Sequence, residues 1–300
     1  MLGSAQDAED ALQDALTNAW RALPRFEGRS SLRSWLYKIA TNACLKQIER
    51  RPKRVLPIDY GPATDPHQAP AEPLVESVWV EPYPDARLGL DAPVAGPEAR
   101  YEQRESVELA FIAALQHLPP RQRAVLILCE VLRWKATEVA ELLDTSVASV
   151  NSALPRARAT LEASDLSATE TSPALDPDDA ELLARYVQAF ERYDMDALTS
   201  LIQEDATQSM PPFDLWLSGR DDIFTWWYGP GIGCKGSRVI PTGSANGSPA
   251  FGQYKPVEDG YEPWALQVLE LSDGRIVELT FFLDTETLFP LFGLPLRFDA

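Results

Sequence analysis

Ten of the 25 prolines of this 300-residue chain fall within the 46 residues from Pro52 to Pro97. Proline fixes φ and lacks the N–H that a helix interior or a central strand must donate, so no regular element crosses this stretch. The chain is therefore modular, with residues 55–104 read as an extended, proline-rich and acidic linker. One island, Val75 to Tyr83, alternates apolar and acidic side chains. That pattern suits a short docked strand or a solvated linker equally.

On the N-terminal side, Ala8, Ala11, Leu12, Ala15, Leu16, Ala19, Trp20 and Leu23 recur at the spacing of an amphipathic helix with acidic residues in its first turns. Pro24 stops it. Phe26 to Ser31 reads as a turn, and Ser30 or Ser31 caps a second helix whose apolar face is Leu32, Trp35, Leu36, Ile39, Ala43 and Ile48. Two such helices are too few for a sealed core, and the chain begins almost inside the first, so a preceding helix is expected to be missing.

After the linker, helical periodicity runs from Glu105 to Leu118, from Arg121 to Leu132, from Ala136 to Leu143 and from Val147 to about Leu161. The last two have helix-turn-helix spacing. Ala140 is small where the helices cross, Asp144 stands at a turn position that often needs positive φ, and Val150 faces the core. Pro155 breaks the local rule in the final helix at a cost of roughly 3 kcal/mol, which implies a kink or an early end. A polar linker, 164–177, leads to an acidic segment, 178–300. There, helices at 178–193, 195–202 and 219–228 precede alternating strands and a hairpin at Ser272-Asp273-Gly274-Arg275, an α+β pattern.

The net charge of −18 taken alone argues against nucleic acid, but its distribution reverses that. From Trp20 to Arg54 ten Lys or Arg oppose only Glu27 and Glu49, whereas 164–300 holds eight basic against twenty-three acidic residues. The first stretch is a basic patch of the kind that meets phosphates. Cys44, Cys129 and Cys234 lie 85 and 105 residues apart, so neither a disulfide framework nor a CxxC metal site is expected. With only His67 and His117 present, His-rich metal sites and a Ser-His-Asp triad are excluded as expectations, and no cofactor is expected. The start, MLGSAQDAED, lacks the basic and apolar regions of a signal peptide, and no apolar run is long enough for a bilayer. The expected location is the cytoplasm.

These residues carry a resemblance. Asp7 to Trp20 and Phe26-Glu-Gly-Arg-Ser-Ser-Leu-Arg-Ser-Trp-Leu-Tyr-Lys-Ile-Ala-Thr-Asn-Ala-Cys-Leu45 resemble region 2 of the extracytoplasmic-function (ECF) sigma factors of bacterial RNA polymerase. Leu118-Pro-Pro-Arg-Gln-Arg-Ala-Val-Leu126 and the helix-turn-helix resemble region 4 of that family. Met210-Pro-Pro, Trp216-Leu-Ser-Gly-Arg-Asp-Asp222 and the closing hairpin are similar to the SnoaL-like domain that some of these factors carry. The expected organisation is region 2 at 1–54 without its first helix, the linker at 55–104, region 4 at 105–163, a linker at 164–177 and a SnoaL-like domain at 178–300. The fold class is two all-α regions followed by an α+β cone.

The resemblance implies promoter recognition and transcription initiation with core RNA polymerase, through the β′ clamp helices and the β flap, and no enzymatic activity. Asp7, Glu9, Asp10, Gln13 and Asp14 would face the clamp helices. The turn at Phe26 to Ser31 would capture a flipped base of the minus-ten element, with Arg25, Arg29, Arg33, Lys38, Asn42, Lys46, Arg50 and Arg51 as DNA contacts. Trp35 is read as core in preference to base stacking. At the minus-thirty-five element Thr145, Ser146, Ser149 and Ser152 would meet phosphates or bases, and Arg156 and Arg158 the backbone.

The C-terminal domain admits two readings: a regulatory domain shielding the basic surfaces, or an isomerase, cyclase or hydrolase fused to a degenerate DNA-binding half. For the second, Asp205, Asp214 or Asp222 would supply acid-base chemistry, although each reads as readily as a turn or cap carboxylate. Trp216, Trp226, Trp227, Phe251, Trp264, Phe281 and Phe282 read as core, leaving room for a small apolar pocket and a small-molecule ligand.

Overall fold

The computed structural model describes residues 1–50, 53–74, 79–87, 112, 115–163 and 177–297. These fall into two units. The described residues within 1–55, 80–82 and 106–168 form the first, and those within 56–79, 83–105 and 169–300 the second.

In the first unit, α1 (Ala5–Ala22) starts at Ser4, whose hydroxyl accepts the Asp7 N–H at 3.1 Å. Only part of the expected apolar stripe is buried. Ala11, Ala15 and Ala19 pack inward, whereas Leu12, Leu16 and Trp20 are exposed, Trp20 by 78%. Small alanines let α2 (Leu32–Ile48) approach closely, and the larger side chains are left on the flank. Ser31 caps α2 by accepting the Ser34 N–H. Along α2 only Thr41 is fully buried, and Leu32 is half exposed, as expected of a helix with few partners.

The helix-turn-helix portion comprises α3 (Pro120–Leu126), a π-helical turn (Ile127–Val131), α4 (Ala136–Leu142) and α5 (Val147–Ala163). Their core contains Ala124, Val125, Leu128, Val139, Ala140, Leu142, Leu143 and Val150. Asp144 adopts φ 49°, and the Thr145 N–H closes the turn on the Ala140 carbonyl at 2.9 Å. Of the two outcomes expected at Pro155, the early end does not occur: α5 runs through it to Ala163.

The second unit contains a six-stranded sheet in the order β2-β1-β6-β5-β4-β3. Its strands are β1 (Ile202–Ser209), β2 (Trp216–Ser218), β3 (Arg238–Ala245), β4 (Ser248–Val257), β5 (Gly260–Ser272) and β6 (Arg275–Phe282). All pairings are antiparallel except β1 with β6. Register shifts interrupt four of the five pairings, and an irregularity of this kind bends a sheet locally. Helices α6 (Pro177–Arg192), α7 (Met195–Leu201) and α8 (Arg220–Tyr228) close one side. Tyr186, Phe190, Leu198, Ile223 and Trp227 join the core there.

The alternating pattern fails in β4, whose first seven residues are all buried. Its second face is covered by α9 (Thr285–Leu291) and the residues after it. Phe289 lies 5.2 Å from the Tyr254 ring, and a Cβ on Gly252 would come within 2.7 Å of Leu294. The hairpin forms as expected, with Asp273 at φ 50° and Gly274 at φ 66°.

Within the second unit, residues 56–74, 79 and 83–87 are not a free extended chain: they hold a short helix at Pro57–Tyr60 and are hydrogen-bonded to the sheet domain through backbone and side-chain groups. Thr64 N–H donates to the Trp216 carbonyl, Leu74 N–H and Trp79 Nε1 to the Pro212 carbonyl, and Gly247 N–H to the Asp85 carboxylate. Tyr83 N–H donates to Asn246 Oδ1 at 2.6 Å. Proline-rich backbone keeps its carbonyls and some N–H groups available, and here strand ends and turns supply the partners. Of the Val75–Tyr83 island, 75–78 lies outside the described residues.

Candidate nucleic-acid and polymerase interface

Of the basic candidates on the first unit, Arg25, Arg29, Arg33, Asn42, Lys46 and Arg50 are exposed and Lys38 is half-buried. Arg51 lies outside the described residues. Arg29 pairs with Glu27 inside the turn that follows α1. Phe26 and Trp35 have ring centroids 4.9 Å apart, so Trp35 braces this turn against α2.

Besides Arg29, two of the basic side chains are engaged. Lys38 Nζ lies 2.6 Å from the Asp144 carboxylate, at the turn of the helix-turn-helix. The Arg33 guanidinium sits 5.7 Å from the Tyr37 ring and 5.8 Å from that of Trp134, which are 5.1 Å from each other. Trp134 was not anticipated, since nothing in its local pattern distinguishes a core tryptophan from one facing another helix.

The acidic candidates divide. Glu9, Asp10, Gln13 and Asp14 are exposed, but Asp7 is 4% exposed and accepts two hydrogen bonds from Arg54, at 3.2 and 2.8 Å. The family resemblance implies an outward, clamp-facing Asp7. Tertiary packing turns it inward, because Arg54 is itself buried and requires a counter-charge. Arg54 also donates to Glu81 at 3.0 Å, and burial lowers its pKa. Asp10, Gln13 and Asp14 of α1 share a cleft of about 420 Å³ with Lys46 of α2 and Arg50 just after it, so the two expected contact sets meet along one groove.

On the recognition helix Ser146, Ser149, Ser152, Arg156 and Arg158 are exposed and Thr145 is partly so. Ser146 caps the helix by accepting the Ser149 N–H at 3.1 Å. Arg156 Nε donates to the Ser152 carbonyl at 2.9 Å, and Arg158 pairs with Glu130.

Inside the second unit a cavity of about 20 Å³ has room for one water and is walled by Phe190, Trp226, Trp227, Trp264 and Phe281 with Gln208 and Gln253. None of Asp205, Asp214 and Asp222 lines it. Several buried polar groups are linked in a chain, Tyr186 hydroxyl to Gln267, Gln267 to Gln253, and Gln253 to Ser237, whereas the buried Trp226 Nε1 has no hydrogen-bond partner. Burial raises the pKa of Tyr186 and Tyr193, as it does those of all three cysteine thiols. Among the described residues no group of three acidic, His or Cys side chains could hold a metal ion, and no helix is long and apolar enough to cross a membrane.

Two family models match parts of the chain. Residues 1–54 match the Sigma-70 region 2 model and residues 108–161 the Sigma-70 region 4 model. The ECF RNA polymerase sigma factor SigG of Mycobacterium tuberculosis (strain H37Rv) is 46% identical over 303 residues, covering 98% of this chain and 79% of that protein. SigM of the same strain is 30% identical over 158 residues, covering 53% of this chain and 64% of the relative. Among solved structures, the M. tuberculosis extracytoplasmic function sigma factor SigJ superposes with a TM-score of 0.55 at 22% identity. That match spans 98% of this chain and 93% of the other, a likeness of fold. The chain belongs to the family of ECF RNA polymerase sigma factors, which are transcription initiation factors and not enzymes.

Proposed function

We propose that this chain directs core RNA polymerase to promoters from the cytoplasm, with residues 1–54 acting at the minus-ten element and the helix-turn-helix at the minus-thirty-five element. Family membership over 98% of the chain is the observation that carries this reading. The exposed Arg25, Arg29, Asn42, Lys46 and Arg50 supply phosphate and base contacts on the minus-ten side. Ser146, Ser149, Ser152 and Arg156 supply them at the start of the recognition helix. Glu9, Asp10, Gln13 and Asp14, beside the exposed Leu12, Leu16 and Trp20, form the face for the β′ clamp helices. An apolar stripe rimmed by acidic groups suits a partner helix carrying basic side chains. The helix-turn-helix region also meets the β flap.

Engagement of DNA then requires Arg33 and Lys38 to exchange Trp134 and Asp144 for promoter phosphates. The C-terminal domain regulates this step. Its tightly filled interior and its acidic charge suit a regulatory body better than a catalytic one. The test is transcription from a cognate promoter by core polymerase, with the full chain and with a chain lacking 164–300. Promoter-specific transcripts with the full chain are expected. Failure to copurify with core polymerase would overturn the reading, and equal activity of the two chains would remove the regulatory role.

A further inference from the structure

The first turns of a recognition helix meet base edges, and on α5 most of the polar side chains placed to do so already have partners. Ser146 Oγ accepts the Ser149 N–H at 3.1 Å and lies 2.9 Å from Ser149 Oγ, and Ser152 Oγ donates to the Ser149 carbonyl at 3.2 Å. Arg156 folds back on Ser152, its Nε donating to the carbonyl and its Nη2 to Oγ, each at 2.9 Å. Arg158 is held by Glu130. A hydroxyl, moreover, donates or accepts with equal ease and so discriminates poorly between bases.

Asn151, the fifth residue of α5, differs. It is exposed, and its side-chain amide makes no hydrogen bond with any described residue. The cause is local: Val147, Ala148, Leu154 and Pro155, the positions three and four residues away on either side, are all apolar and offer no side-chain partner. Ala148, Ser152 and Pro155 share the exposed surface with it and are short, so a groove floor can come within reach of an amide. Asparagine is a poor helix former because its side chain competes for backbone groups, and here no hydrogen bond offsets that cost. A residue that breaks the local rule without a structural gain marks a functional position. Its amide sets one donor beside one acceptor, which matches the N6 and N7 edge of adenine in the major groove.

We propose that Asn151 reads an adenine of the minus-thirty-five element, Nδ2 donating to N7 and Oδ1 accepting from the N6 amino group. This contact rests on the proposed action of the helix-turn-helix at that element, and it supplies the base specificity that the hydroxyls lack.

The test uses holoenzyme reconstituted from core polymerase and the full chain, presented with promoters randomised across the minus-thirty-five element, the bound promoters being sequenced. With the wild-type chain, one position should prefer adenine over each other base by about tenfold or more. Asn151→Ala should abolish the preference at that position alone, and Asn151→Arg should shift it to guanine, whose O6 and N7 match a guanidinium. Both substitutions replace a poor helix former with a better one, so α5 stays folded, as the helical circular dichroism signal will check. The proposal is overturned if Asn151→Ala keeps the wild-type preference at every position, if the base it ceases to select is not adenine, or if it weakens binding evenly for all four bases, the mark of a phosphate or purely structural role. Absence of any base preference in the minus-thirty-five element for the wild-type holoenzyme would instead remove the assignment of the helix-turn-helix to that element, and this contact with it.

Discussion

Removing the Asp7 carboxylate should unfold the first unit more readily while leaving the polymerase-facing surface intact. Asp7 and Arg54 side chains are 6% and 7% exposed, and the carboxylate accepts both Nε and Nη2 of the guanidinium. Deleting one partner of a buried pair costs about 3–5 kcal/mol, chiefly because the other charge is stranded. Here Arg54 Nη1 retains Glu81 at 3.0 Å, so the cost for Asp7→Ala falls to about 2–3 kcal/mol. The double variant Asp7→Ala, Arg54→Met should recover most of that loss, since an apolar side chain of similar volume needs no counter-charge and the partly exposed Glu81 can turn to water. Urea unfolding followed by the helical circular dichroism signal measures both. A single-variant cost below about 1 kcal/mol, or a double variant no better than the single, would refute the reasoning. Affinity for core polymerase, corrected for the folded fraction, should be unchanged by Asp7→Ala and reduced by the paired change Asp10→Ala, Asp14→Ala.

Binding of single-stranded minus-ten DNA should weaken steeply with salt, and Arg29→Ala, Arg50→Ala should lower the log–log slope by about one per lost phosphate contact, read by anisotropy titrations over a salt series. Burial raises the Glu278 pKa, and Glu270 stands directly opposite it across β5 and β6. The associated stability is present below the unfolded carboxylate range and is lost as pH rises through the folded value. Glu278→Gln should therefore raise the melting temperature at about pH 7 and leave it unchanged near pH 4, with the opposite trend counting against it. Because α5 runs through Pro155, Pro155→Gln should stabilise the first unit by up to about 3 kcal/mol and strengthen binding of minus-thirty-five duplex at fixed salt. Unchanged stability and affinity would mean that the helix beyond Pro155 contributes to neither.

Local chemistry written in the chain was sufficient for the helix-turn-helix. A small Ala140, an Asp144 able to adopt positive φ and an apolar Val150 each act within one or two turns, and all three occur as the spacing implies. The same holds for the Asp273-Gly274 hairpin, whose conformation depends on two residues alone. The α+β character of the C-terminal domain was likewise legible from its periodicities, and the division between basic and acidic segments from counting.

Tertiary structure decided which side of each element faces inward. The α1 stripe looked continuous, yet alanines and not leucines pack against α2, because interhelical distance selects for size, which periodicity does not encode. Asp7 turns inward because Arg54, 47 residues away in sequence, is buried beside it. Trp134 meets Arg33 and Tyr37 across about a hundred residues, and backbone groups of the proline-rich segment find partners at Pro212, Trp216 and Asn246. Charge balance in a low-dielectric interior and the pairing of backbone groups depend on what is near in space, and a one-dimensional pattern fixes only what is near along the chain.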